Sequence, residues 1–456
     1  MQSGGARVAA SASSTNPNTT RDLRVKNLLR ICLTCPLSLA LLSGCGGGGL
    51  DTDSSVRLVN ATSEYTTLDL YAGSDRIASG VASNSVGSYA TLDADTYTFN
   101  LKSGGSTATA ASTSREAVKK KHQTLVAYTS AGALTSEYLS DEESAPSSGT
   151  AKLRVFHTAS ADAGKVDLYL VNTNCSDLQN STAAALVTGV SGLQSGFVEV
   201  SAATGGTPYH VCVTATGDKT ALRLDVPALT LGNQQVATLI LTRSTGGVLL
   251  NGLLLNQQGT LTQALNTSAR VRVAANASAA GTVTATVGSV SLGLNYTSPA
   301  VGSYKLVPAG ALALSLNVSG TTTTVNTLTA TAGNDYTLLV TGAAAAPVAT
   351  LIADNNTPST STAQPVKLRL VNGLNGSTGS ATLAYNYDQV GDGAASLSAN
   401  SPSLVASSAA LARLEASFGG TSLVVGTTIT LESGKVYSLF LLGDAAAAQA
   451  ILRADR

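Results

Sequence analysis

Two histidines and two cysteines in one region of the chain have the residue types that bind zinc. Imidazole and thiolate groups are preferred ligands of tetrahedral zinc. His210 and Cys212 alternate along a strand pattern, so their side chains point to the same face. Cys175 and Cys212 are also the only cysteines after residue 45, and they could instead form a disulfide. The redox conditions around the protein therefore decide between zinc and a disulfide. The candidate ligands are His157, Cys175, His210 and Cys212.

The first 45 residues indicate that the chain is exported. Three cations between residues 24 and 30 precede an apolar run from Ile31 to Leu42, which Ser43 and Gly44 follow. The run is shorter than the roughly 20 residues that a membrane-spanning helix needs. A basic start, a short apolar middle and small residues before a cleavage position are typical of a secretory signal.

The segment Leu42-Ser43-Gly44-Cys45 resembles the lipobox of bacterial lipoproteins. The resemblance implies cleavage between Gly44 and Cys45 and a diacylglyceryl group on the Cys45 thiol, whose acyl chains would hold the protein on a membrane. Four glycines follow and form a flexible tether. The absence of an aspartate after the cysteine favours the outer membrane, with the body facing the periplasm or the cell surface. The alternative is an ordinary secretory signal in which Cys45 is incidental.

The composition favours an all-β protein and excludes nucleic acid as a partner. The chain has 27 basic and 27 acidic residues, and charged residues make up only 12% of it. No positive field therefore attracts a polyanion. The chain has no Trp and only 4% aromatic residues, so it lacks platforms on which bases could stack. Abundant Ser, Thr, Gly and Val are typical of strands and turns.

The chain contains four weakly similar copies of one β-rich unit. Each copy begins with a strand in which apolar and polar side chains alternate, usually with a cation at the second or fourth position. Such alternation buries one face of a strand and leaves the other face in water. Short strands separated by turn residues predict sandwiches or barrels. The opening strands are Val56–Asn60, Leu153–His157, Val271–Ala274 and Val366–Asn372.

The opening strands and a second, Asp-Leu-Tyr strand together resemble a bacterial family of domains of unknown function. The second strand contains Asp69-Leu70-Tyr71 in copy one and Asp167-Leu168-Tyr169 in copy two. The family occurs as tandem copies in exported lipoproteins, and the resemblance implies immunoglobulin-like or transthyretin-like β-sandwiches without any assigned activity. It is fainter in copies three and four, where Thr284 and Ala384 stand near the place of the aspartate.

Polar segments without an apolar period separate most of the copies. The join between copies two and three is shorter, so we expect these two to dock more closely. A start near Val25 would give the signal a more usual length. The predicted boundaries are a disordered leader and signal peptide at 1–44, the lipidated cysteine and tether at 45–55, module 1 at 56–139, a linker at 140–150, module 2 at 151–267, module 3 at 268–353, a linker at 354–364 and module 4 at 365–456.

No pattern in the chain predicts catalysis, a cofactor or a metal site. The sequence lacks a Gly-x-Ser-x-Gly turn, a phosphate-binding loop and paired histidines at helical spacing. In an oxidising envelope we predict a disulfide between Cys175 and Cys212 rather than zinc. Two weaker alternatives are a calcium turn at Asp93 and Asp95 and a contact of the lysines at 119–121 with lipid phosphates.

The sequence therefore predicts a non-enzymatic, lipid-anchored protein of the cell envelope whose modules serve as a structural or interaction surface. Its expected partners are the membrane, through Cys45, and an unidentified envelope protein or glycan. One alternative is a protein that binds a carbohydrate or a peptide, although carbohydrate sites favour aromatic side chains and Trp is absent. Another is an envelope hydrolase centred on module 2 that would use His157 or His210.

Overall fold

The computed structural model describes residues 53–192, 194–277 and 281–456, so the signal, Cys45 and the glycine tether lie outside the described residues. Residues 51–456 form one compact unit. No helix in the described ranges is long and apolar enough to cross a membrane. The described chain is almost entirely β-structure, which confirms the prediction of an all-β array of sandwich modules.

In the described ranges eight sheets form four pairs, and each pair encloses its own apolar core. Alternating residues of the strands point into these cores, as the period of two predicts. Module 1 contains β1 (Asp53–Asn60), β2 (Thr67–Ala72), β3 (Asp75–Ala82), β4 (Ser85–Val86), β5 (Ala90–Asp93), β6 (Thr96–Ser103), β7 (Ala111–Glu116), β8 (His122–Ser130) and β9 (Ala133–Ser140). Its first sheet has the order β4-β1-β8-β9, with β5 also on β1, and its second sheet has the order β3-β2-β6-β7.

Module 2 repeats this plan with one short helix and one 3-10 segment added. It contains β10 (Thr150–His157), α1 (Ser160–Ala163), β11 (Val166–Val171), the 3-10 segment Cys175–Asn180, β12 (Val187–Val190), β13 (Val198–Ser201), β14 (Thr207–Ala215), β15 (Asp218–Leu231), β16 (Val236–Arg243), β17 (Leu250–Asn256) and β18 (Leu261–Ala264). The two sheets have the orders β13-β10-β16-β17-β18 and β12-β11-β14-β15.

Module 3 returns to the plan of module 1. It contains β19 (Ser268–Ala277), β20 (Thr282–Val287), β21 (Val290–Thr297), β22 (Ala300–Val301), β23 (Lys305–Pro308), β24 (Gly310–Val318), β25 (Thr321–Ala330), β26 (Asp335–Ala343) and β27 (Ala346–Asp354). The first sheet has the order β22-β19-β26-β27, with β23 also on β19, and the second has the order β21-β20-β24-β25.

Module 4 has the same two sheets. It contains β28 (Val366–Asn372), β29 (Ala381–Tyr385), β30 (Asp388–Gln389), β31 (Ser398–Ala399), β32 (Ser403–Val405), β33 (Ser408–Phe418), β34 (Thr421–Leu431), β35 (Val436–Leu442), the 3-10 segment Ala445–Ala447 and β36 (Gln449–Ala454). The sheets have the orders β31-β28-β35-β36, with β32 also on β28, and β30-β29-β33-β34.

In every module the opening strand lies inside the first sheet and runs parallel to a later strand. The parallel pairs are β1–β8, β10–β16, β19–β26 and β28–β35. A parallel pair needs a long crossover between its strands, and here the crossover contains the whole second sheet together with short edge strands of the first sheet. The opening strand and the closing hairpin of each module therefore lie side by side.

Two further apolar clusters join module 1 to module 2 and module 3 to module 4. In the first, Phe156 of module 2 meets the ring of Tyr128 of module 1 with their centroids 5.6 Å apart. In the second, Val371 and Phe440 of module 4 are buried with Leu339 of module 3. Modules 2 and 3, which we expected to dock more closely, also meet: Leu306 of module 3 packs against the cluster around Cys175 and Cys212, and the Ser244 hydroxyl group donates to the Gly333 main-chain oxygen.

Candidate functional site

Each opening strand carries one buried arginine, which is the cation noted in the sequence repeats. The exposed fractions of these arginines are only 2–7%. Each Nε donates a hydrogen bond of 2.7–2.9 Å to a hydroxyl group on the parallel neighbouring strand. Parallel pairing fixes this geometry, because each arginine and its hydroxyl residue are direct register partners on the two strands. The arginine–hydroxyl pairs are Arg57–Thr124, Arg154–Thr238, Arg272–Thr337 and Arg369–Ser438.

In modules 3 and 4 the arginines form one network with two aspartates. Arg272 of module 3 bonds Asp455 of module 4 at 2.5 Å, and Arg369 of module 4 bonds Asp354 of module 3 at 2.5 Å. The diagonal distances are 3.7 and 3.9 Å. All four side chains are at most 2% exposed. The two positive charges of the arginines are balanced by the two negative charges of the aspartates. The closest partner of each arginine belongs to the other module.

Modules 1 and 2 share a less balanced version of this network. Arg57 lies 3.5 Å from Asp141 and donates to the main-chain oxygens of Asn256 and Gly259 in module 2. Arg154 of module 2 donates to the main-chain oxygen of Ser140. Gln257 takes the place of the aspartate in module 2, so two arginines face one aspartate. Asp141 and Asp354, which the sequence placed in linkers, are thus buried at module interfaces.

An aromatic ring covers the arginine in three of the four modules. The guanidinium carbon lies 4.5 or 4.6 Å from the ring centroid in each case. The two tyrosines also donate to the network carboxylates, Tyr89 to Asp141 and Tyr304 to Asp354. Burial, followed by Asp354, raises the pKa of Tyr304 well above its usual value, which keeps the donor proton in place. The arginine–ring pairs are Arg57–Tyr89, Arg154–Phe197 and Arg272–Tyr304.

The aspartate of the Asp-Leu-Tyr strands has a structural role. Asp69 accepts a hydrogen bond from the Gly80 main chain at 2.6 Å. Asp167 accepts from Gly189 and Gly217 at 2.8 and 2.9 Å. Gly80 and Gly189 adopt positive φ at register shifts in the neighbouring strands. A bulge leaves a main-chain group unpaired, and the buried carboxylate satisfies it.

Strand register places Thr382, not Ala384, at the position of this aspartate in module 4. Val166 and Ala381 both pair with the last residue before a hairpin turn, which is Ala215 in module 2 and Phe418 in module 4. The next residue along each strand is therefore equivalent. By the same register Thr284 takes this position in module 3, as the sequence comparison placed it.

His157 lies inside the fold and apart from the other three candidate ligands. Its Nε2 is 2.8 Å from the Gly164 oxygen, and the residue is 0% exposed. Burial lowers the pKa of His157 to about 4, so the ring is neutral at pH 7. Strand register gives it the position that Asn60 and Asn372 hold in modules 1 and 4. The His157 ring therefore holds the loop at Gly164 in place. Because the ring is buried, a substrate cannot reach it, and it does not support the hydrolase alternative.

A disulfide joins Cys175 and Cys212 in the structure. Cys212 lies on the face of β14 opposite the core residues Val211 and Val213. His210 lies beside it, with Nε2 2.5 Å from Asp225 Oδ1. The described residues contain one group of three potential metal ligands within 4.8 Å of one another, namely Cys175, His210 and Asp225. A disulfide sulfur is not a thiolate, so this group is not a zinc site while the bridge is intact.

Residues of the two weaker alternatives, the lysines at 119–121 and the turn at Asp93 and Asp95, have local partners in the structure. Lys121 and His122 lie 3.7 and 3.1 Å from Glu142, so that part of the basic run is paired with the segment that follows β9. Asp95 accepts a hydrogen bond from the main chain of the following Thr96, as turn aspartates do. Asp93 and Asp95 are not part of a three-ligand group among the described residues.

Comparisons with known proteins add a match for one part of the chain. No curated protein matches it. Among solved structures, a crystal structure described as a "putative cell adhesion protein" from Bacteroides uniformis is similar at 10% identity, covering 46% of this chain and all of that one with a TM-score of 0.20. A likeness at this level adds no argument about function. Residues 54–169, which cover module 1 and run into β11 of module 2, match the family described as Domain of unknown function (DUF4397).

Proposed function

We propose that this protein is a lipid-anchored component of the cell envelope whose sandwich modules provide a rigid structural or interaction surface without catalysis. The observation that supports this proposal most is the pairing of the buried charged side chains between modules. The arginines and aspartates of modules 3 and 4 bind each other across the module boundary. Such groups hold modules in a fixed arrangement, which is what a spacer or a presentation surface requires.

The anchor in this proposal rests on Leu42-Ser43-Gly44-Cys45 and on the glycines that follow. Acyl chains at Cys45 would hold the body at the outer membrane, and the tether would let it clear the headgroups. The carbohydrate-binding alternative has little to support it. Tyr387 is the one aromatic among the strongly exposed large apolar side chains of the described residues.

Replacing Cys45 with Ala tests the proposal. The wild-type protein should partition into the detergent phase and run as a processed, acylated chain. The variant should remain an unprocessed precursor, because the acceptor thiol is gone. A Ser43→Ala variant, which keeps a small residue before the cleavage position, is the matched control and should behave as wild type. Equal processing and partitioning of Cys45→Ala and wild type would refute the anchor.

A further inference from the structure

The outer face of β14 and β15 in module 2 carries an imidazole and a carboxylate beside the disulfide. Cys212 and Asp225 are direct register partners on the two strands, and His210 lies two residues before Cys212, on the same face. Cys175 reaches this face from the start of the 3-10 segment. No other module has a thiol here, because these are the only cysteines after residue 45. The register equivalents of Cys212 are Asn100, Ser315 and Glu415.

The distances between these groups suit a tetrahedral metal ion. Cys175 Sγ, an imidazole nitrogen of His210 and a carboxylate oxygen of Asp225 lie within 4.8 Å of one another. Ligand atoms around tetrahedral zinc are about 3.3–3.8 Å apart, since the bonds to zinc are about 2.0–2.3 Å long. The three groups therefore need shifts of only about 1 Å to bind one ion. Cys212 Sγ becomes a fourth ligand once its bond to Cys175 Sγ is broken.

The site is buried at its sulfur atoms and more open at its other two groups. Cys175 and Cys212 are 3% and 0% exposed, whereas the side chains of His210 and Asp225 are 11% and 26% exposed. An ion can therefore enter past the carboxylate, while water is largely kept from the sulfur atoms.

Contacts other than the disulfide also hold the 3-10 segment on the strands. Leu178 of the segment is buried in one apolar cluster with both cysteines. Just after the segment, the Lys219 ammonium group donates to the main-chain oxygens of Ser181 and Ala183 at 2.9 and 2.8 Å. Breaking the bridge therefore leaves the two thiols close together, beside the imidazole and the carboxylate.

We propose that module 2 binds one Zn²⁺ ion when the bridge between Cys175 and Cys212 is reduced. A dithiol reductant passes two electrons and two protons to the bridge, so the Sγ–Sγ bond breaks, both cysteines become thiols and the reductant becomes a disulfide. Zinc then binds the two thiolates, His210 and Asp225, and the thiol protons pass to solvent. The ion fastens the 3-10 segment to β14 in place of the bridge. The proposal goes beyond the envelope role and does not depend on the lipid anchor.

Cobalt titration of the reduced chain tests the proposal, because Co²⁺ occupies tetrahedral zinc sites and its bonds to thiolates absorb light. The full-length chain in detergent carries Cys32→Ser, Cys35→Ser and Cys45→Ser, so that Cys175 and Cys212 are its only thiols. After reduction by a phosphine and removal of the reductant under argon, thiolate-to-cobalt bands should appear, saturate at one equivalent and disappear when Zn²⁺ is added. The oxidised chain should not show them. A fully reduced chain without these bands would overturn the proposal.

Variants in the same background identify the ligands. His210→Asn and Asp225→Asn should each weaken Zn²⁺ binding by about tenfold or more. His157→Asn is the matched control and should bind as the unsubstituted chain does, because this histidine of module 2 lies apart from the group. Circular dichroism establishes that each variant folds, and if one does not, the bands of the unsubstituted chain decide. Unchanged binding by a folded His210→Asn variant would contradict the ligand set.

Thermal melting gives an independent readout of the fastening. Zn²⁺ should raise the melting temperature of the reduced chain, because an ion that binds the folded state alone stabilises it. It should leave the oxidised chain unchanged, since the sulfur ligands are then bonded to each other. An equal rise in both states would place the ion elsewhere and would refute the proposed site.

Discussion

Arg272 and Asp455 form a buried ion pair between modules 3 and 4, with Nη1 2.5 Å from Oδ1, although 183 positions separate them in the sequence. Asp455 also accepts a hydrogen bond from the Ser438 hydroxyl group, which in turn accepts from Arg369. A single carboxylate thus supports the arginines of two modules. At this interface modules 3 and 4 therefore form a coupled pair rather than two independent domains.

Removing the Asp455 carboxylate should destabilise the protein strongly. Asp455→Ala leaves two buried arginines facing one aspartate, and breaking a buried pair typically costs about 3–5 kcal/mol. Urea unfolding followed by circular dichroism measures the loss. Asp388→Ala, at an exposed position of β30, is the control and should change stability by less than about 0.5 kcal/mol. Equal effects of the two substitutions would show that the network does not contribute as described.

His157 should make stability depend on pH between about 6.5 and 4. In the unfolded chain this histidine titrates near 6.5, whereas burial lowers its pKa in the folded chain to about 4. Between these values the unfolded state binds more protons, so stability is complete above pH 6.5 and is lost as the pH falls to about 4. The full contribution is about 3 kcal/mol.

His157→Asn isolates this contribution, because asparagine holds the equivalent position in modules 1 and 4. The free energy of unfolding of wild type and variant should be compared at pH 7 and pH 4.5. Wild type should lose more stability than the variant over this interval. A parallel loss in both proteins would show that His157 is not the titrating group.

Asp167 should stabilise module 2 through the glycine main chain that it satisfies. Asp167→Ala leaves the half-buried Gly189 amide without this acceptor, and an unsatisfied buried group costs about 1–3 kcal/mol. The Gly217 amide also loses its acceptor, but Gly217 is exposed, so water can replace the carboxylate there. Thr382→Ala changes the equivalent position of module 4, where the carboxylate is missing, and serves as control. The unfolding midpoints should fall clearly for Asp167→Ala and little for Thr382→Ala. The reverse order would contradict the assigned role.

The bridge between Cys175 and Cys212 should be present in the purified protein. Intact-mass analysis before and after reduction should differ by two hydrogens. A loop of 37 residues corresponds to about 3–4 kcal/mol in the chain-entropy model, so the melting temperature should fall on reduction. Two free thiols after oxidative, metal-free purification would instead point to a metal site. Its ligands would then include Cys175, His210 and Asp225 but not His157.

The sequence predicted the strands and the module plan because alternation and turn residues are local signals. The opening strands and the turn at Asp93-Ala94-Asp95, where the chain passes from β5 to β6 in the other sheet, are read from a few neighbouring residues. It could not predict that Arg57 or Arg272 is buried. A charged residue in an alternating strand is expected to face water, and only the partner module turns that face into an interface.

The network residues were also missed because their partners are remote. Asp354 begins the polar segment 354–364, which is typical of a linker, and Asp455 follows β36 near the end of module 4. The recurrence of Arg before an apolar residue in all four opening strands was one local signal. The repeated Val-Gly-Ser-Tyr segment ending at Tyr89 and Tyr304 was a second signal, since its tyrosines cover those arginines.

Hydrogen–deuterium exchange of Asp455→Ala tests the pairing of modules most directly. Because Asp455 of module 4 bonds Arg272 of module 3, the substitution should speed amide exchange in β19 and β26 as well as in β28 and β35. Peptides from β1 and β8 of module 1 should exchange at the wild-type rate. Acceleration confined to module 4 would contradict the account, because it would mean that the modules are independent bodies.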